Sequence, residues 1–125
     1  MCPRATFSHS GDDSAQSAAE GNTIVLKLDD GEDLFESIKS ALVLHDVKSA
    51  IVVTGIGMLC DVELGYFDGS AYRNEKRAEA FELVALHGSV TTAGEVVVHL
   101  HAALAGSDHC LIGGHLHRAT VRVVN

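Results

Sequence analysis

Residues 96–117 read Val-Val-Val-His-Leu-His-Ala-Ala-Leu-Ala-Gly-Ser-Asp-His-Cys-Leu-Ile-Gly-Gly-His-Leu-His, and they hold five of the chain's eight histidines. His99 and His101 alternate with apolar residues, as do His115 and His117. On a strand, residues two apart point to one face, so each pair sets two imidazoles side by side. The intervening Ala-Gly-Ser-Asp-His reads as a hairpin turn. Register decides whether the pairs meet. A two-residue loop, Ser107 and Asp108, would put His99 opposite Leu116, on the wrong face. A three-residue loop, Ser107 to His109, puts His99 opposite His117 and His101 opposite His115. A bulge at Gly113-Gly114 would shift the register further. Opposed Cβ atoms lie about 4.5–5.5 Å apart. Imidazoles that close can converge on one ion, with Zn–N distances of about 2.0–2.1 Å. The plain alternative is an exposed strand face, but four clustered neutral imidazoles would still need hydrogen-bond partners. The expected site is therefore His99, His101, His115 and His117 around a divalent metal, zinc by ligand type.

The same stretch carries a family resemblance. Gly113-Gly114-His115-Leu116, preceded by Val98-His99-Leu100-His101, resembles the signature of the plants-and-prokaryotes conserved (PPC, or PCC) domain. Val53-Thr54-Gly55-Ile56-Gly57, Leu64-Gly65-Tyr66-Phe67 and Phe81-Glu82-Leu83-Val84-Ala85-Leu86-His87-Gly88 resemble the same family in the same order. The resemblance covers about residues 23–125. It implies a small α/β fold that assembles as a homotrimer. It also implies a metal site at the positions of His99, His101 and His115; the position of His117 is not a fixed part of that pattern. Plant members grip DNA through an Arg-Gly-Arg-Pro hook, which this sequence lacks.

The 125 residues suit a single domain, and an apolar fraction of 46% suffices for one core. The net charge of −8 is a poor match for nucleic acid, which is bound by cationic patches. It also disfavours anionic membrane surfaces. Cys2, Cys60 and Cys110 form no C-x-x-C pair and read as reduced thiols of a cytoplasmic protein. No apolar run approaches the roughly 20 residues of a membrane helix, and residues 1–22 lack a signal core.

Residues 1–22, rich in Ser, Ala, Gly and Asp, read as a disordered tail ahead of a domain at 23–125. Thr23 to Leu28 alternates as a strand. Asp30 then serves as a helix N-cap. Leu34, Phe35, Ile38, Ala41, Leu42 and His45 form one apolar stripe of an amphipathic helix. Strands are expected over 49–54, 60–67, 81–86, the histidine hairpin and 119–124, with 71–80 an exposed strand or loop. The Gly55-Ile56-Gly57 run lacks the spacing of a phosphate cradle. The class is α+β: about six or seven strands in a curved, mostly antiparallel sheet with one main helix.

Three functions fit these residues. The first is a homotrimeric metal-binding protein, with a possible small-molecule ligand at the metal. The second is a metal-dependent enzyme on a small molecule, with Asp108, Glu63 or His117 as proton carrier. The third is a DNA-binding regulator, as the family label suggests.

Overall fold

The structure, a computed structural model, describes residues 16–125. Eight strands and one helix follow in the order β1 (Gln16–Glu20), β2 (Thr23–Lys27), α1 (Leu34–Leu44), β3 (Ser49–Val52), β4 (Gly57–Phe67), β5 (Tyr72–Arg77), β6 (Phe81–Thr91), β7 (Val97–Ala105) and β8 (Leu111–Arg122). The α+β class holds. β1 and β2 form a two-stranded ribbon, and the others form one antiparallel sheet in the order β3-β6-β7-β8-β4-β5. The start of β4 also pairs with the start of β6, so β6, β7, β8 and β4 close on themselves at one end.

Alternation builds the core. Leu100, Leu104 and Leu116 are fully buried beneath the sheet, and Leu59, Val62 and Val121 join them. Each such side chain contributes about 1.5–3 kcal/mol through removal from water. From α1, Leu34, Ile38, Ala41 and Leu42 are buried, and the helix lies against β8. Phe35 packs at the margin of this core.

Several expectations need correction. The N-cap is Asp33, which accepts from the Glu36 amide at 3.0 Å. Asp30 instead turns inward and accepts from Arg122 (2.9 Å) and from the Val123 amide (2.7 Å). It thereby ties the chain before α1 to the end of β8. Asp29, Asp30 and Asp33 all carry a capping side chain, so residue type alone does not choose among them. Gln16–Glu20 falls inside the stretch read as a tail, yet it pairs in register with β2 around the Gly21 turn. Ladder hydrogen bonds satisfy that backbone without requiring an apolar sequence. Residues 1–15 of the expected tail lie outside the described residues. β6 does not end at residue 86 but runs on to Thr91. Cys60 is disulfide-bonded, against the expectation of reduced thiols at all three positions, whereas Cys110 is free and exposed. Among the described residues, no helix is long and apolar enough to cross a membrane.

Candidate metal centre

The β7–β8 hairpin closes with the three-residue loop Ser107–His109. Gly106 and Cys110 are joined by a hydrogen bond of 3.1 Å, and the ladder begins at Ala105↔Leu111. His109 takes the left-handed conformation (φ 67°) that such a loop needs at its last position. The constant sum that results puts Leu100 opposite Leu116 and His101 opposite His115. Gly113 and Gly114 stay within that ladder and introduce no bulge. The pleat then sends the leucine pair into the core and the histidine pair to the open face. One strand further, His87 stands opposite His101, and Ser89 opposite His99.

Three of the four expected ligands converge. The ligand atoms of His99, His101 and His115 all lie within 4.8 Å of one another. His99 stacks on His115, with ring centroids 4.8 Å apart and planes 30° apart, and His101 meets His115 edge-on at 5.4 Å. His99 and His101 bring their Nε2 atoms to 3.3 Å. A tetrahedral zinc with Zn–N of about 2.0–2.1 Å would hold its nitrogens roughly 3.3–3.4 Å apart. This donor set fits a divalent ion. Burial, and after it the neighbouring His117, His99 and His101 rings, hold the His115 pKa below its usual value. The neutral form that a metal needs is therefore favoured at that position.

His117 takes a different place. Its ring lies 4.4 Å from His115 and meets Tyr72 edge-on at 5.0 Å. It rests over Gly65, where any Cβ would run into the imidazole. Its Nε2 is buried, with no hydrogen-bond partner among the described residues. The ladder between β7 and β8 is not continued to a His99↔His117 pair. Tyr72, not anticipated from the sequence, places its hydroxyl 3.4 Å from His115 Nδ1. Gly65 opposite His115, together with Phe67 opposite Tyr72, brings it there. The signal was the Asp68-Gly69 turn, which fixes the β4–β5 register.

The two suggested acids, Asp108 and Glu63, lie outside the converging histidine group. Asp108 sits at the hairpin tip, beyond the far end of the ladder, and accepts from the Cys110 amide at 3.0 Å. That amide holds the Asp108 carboxyl below its ordinary pKa. Glu63 pairs with Lys76 on one side and Arg118 on the other, where the β4–β8 register is interrupted.

Comparison with known proteins follows the same outline. Solved structures include a plant- and prokaryote-conserved (PPC) protein from Pyrococcus horikoshii, with TM-score 0.72, 27% identity, and 91% of this chain and 79% of that one covered. A metal-containing protein from Archaeoglobus fulgidus matches with TM-score 0.70 and 30% identity over 79% of this chain and 71% of that one. A Bacteroides thetaiotaomicron protein with a provisional DNA-binding description matches with TM-score 0.80 over 88% of this chain and 78% of that one, and at 21% identity it speaks to the fold alone. No curated protein matches the chain. The Plants and Prokaryotes Conserved (PCC) domain matches residues 15–125, and the chain belongs to that family.

Proposed function

We propose that this protein binds a divalent metal, zinc by the nitrogen character of its donors, through His99, His101 and His115, and that it works as a homotrimer. The observation that carries the reading is the 3.3 Å spacing of two Nε2 atoms with a third imidazole stacked beside them. An ion there would supply a Lewis-acid position with room for a small ligand. The metal-containing description of the Archaeoglobus relative supports the same reading. His117 would join as a fourth ligand only by leaving its seat over Gly65. Self-association is supported by Ile51, Val53 and Ile56, which are 77%, 85% and 80% exposed beside the sheet edge. A neighbouring copy would cover that edge, and closed cyclic assemblies are the usual form of homo-oligomers.

Untagged protein should copurify with, or take up, one metal ion per chain at a mass near three chains. The His99→Ala/His101→Ala double variant should hold no stoichiometric metal while keeping that mass. Full metal content in the double variant would defeat the assignment. DNA binding, the description carried by the Bacteroides neighbour, is the weaker reading. A net charge of −8 repels a phosphate backbone.

A further inference from the structure

Beside the three histidines the sheet opens into a cleft of about 260 Å³, lined by His87, Gly88, Ser89, His99 and His101. Two of the proposed ligands form one wall, and the side chains directly across from them on β6 form the other.

The strand segments around the cleft carry no carboxylate. The chain carries 17 Asp and Glu residues. None lies in residues 49–52 of β3, 85–91 of β6, 97–103 of β7 or 111–117 of β8, the strands that make the cleft and its surroundings. A divalent ion on three neutral imidazoles keeps both of its positive charges, and no carboxylate from these segments offsets them. An anionic ligand on the open position of that ion would offset them. Ser89 adds a hydroxyl donor and His87 an imidazole donor to the wall facing the ligands.

We infer that this cleft is the binding site for a small carboxylate, one oxygen of which takes the remaining position on the metal while Ser89 and His87 hold the other. The inference rests on the metal reading above and adds the class of ligand and two residues that select it. His87 and Ser89 are exposed and outside the core, so replacing them leaves the packing of the fold intact.

The test uses the full chain loaded with cobalt(II), with metal content and circular dichroism measured on every sample. Acetate should shift the visible absorption of the loaded protein and should release no heat with metal-free protein. The His87→Gln/Ser89→Ala variant should need about tenfold more acetate per bound cobalt, the cost of losing hydrogen bonds to a charged group. Either single variant should fall between. Equal affinity in the double variant, or a loaded protein indifferent to acetate, would overturn the inference while leaving the metal site intact. A response to inorganic phosphate without one to acetate would overturn the carboxylate class. A wild-type protein that takes up no cobalt would remove the metal reading and this one together, and the metal content identifies that outcome.

Discussion

The two faces of the β7–β8 ribbon share one backbone and one register but do opposite work. Leu100 and Leu116 face each other on one side at 0% exposure. One residue along, His101 and His115 face each other on the other side, where His101 is exposed and His115 partly so. The pleat alone separates them, so stability and chemistry sit back to back without sharing a side chain. A one-residue slip would exchange the faces, burying imidazoles and exposing leucines. The loop that fixes the register is therefore as necessary to the site as the histidines themselves.

Perturbing each face in turn tests that separation. Leu100→Ala should cost about 2–5 kcal/mol in denaturant unfolding, through lost burial and a residual cavity. Below its transition the variant should still take up metal. Metal loss without unfolding would show that the faces are coupled. His101→Ala is the converse: metal-free stability should stay within about 0.5 kcal/mol of wild type while metal uptake is lost.

The end of β8 gives a smaller effect on the core side. Asp30→Asn weakens the bond from Arg122 and the one from the Val123 amide, and should cost about 1.5–3 kcal/mol in the same unfolding measurement. Uptake of metal should be unaffected, because the pair lies away from the histidines along β8.

The smallest effect is expected at the β4–β5 turn, and its sign follows from the pKa. The amides of Ala71 and Ser70, with Arg73, lower the Asp68 pKa from 3.8 to about 2. A carboxyl depressed in the folded state contributes stability above its unfolded pKa and loses that contribution as pH falls through the folded value. Asp68→Asn should thus lower the thermal midpoint slightly at neutral pH, and its gap to wild type should shrink below about pH 4 and close at about pH 1, below the folded pKa. A gap undiminished between about pH 4 and pH 1 would assign the effect to turn geometry rather than charge.

Much of this was legible from residue order. Period-two alternation gave the histidine and leucine faces, a consequence of local geometry, whereas the residues allowed both a two- and a three-residue loop and the structure takes Ser107–His109. The α1 stripe was equally plain, since Leu34, Ile38, Ala41 and Leu42 follow helical spacing. The N-cap was not, because three nearby aspartates have the same capping chemistry. β1 was missed because an exposed ribbon bonded through its backbone leaves little trace in side-chain hydrophobicity.

Sequence by itself determined that four imidazoles would lie on one side of a late β-ribbon, with leucines on the other. Only the tertiary structure decided which of them meet. The twist of the sheet stacks His99 diagonally on His115, while the bare backbone of Gly65 and the ring of Tyr72, both from strands distant in sequence, give His117 its separate seat. The cleft likewise depends on β6 lying alongside β7, which sets His87 and Ser89 across from the ligands. Local pattern fixes the direction in which a side chain points, and the packing of remote strands fixes its neighbours.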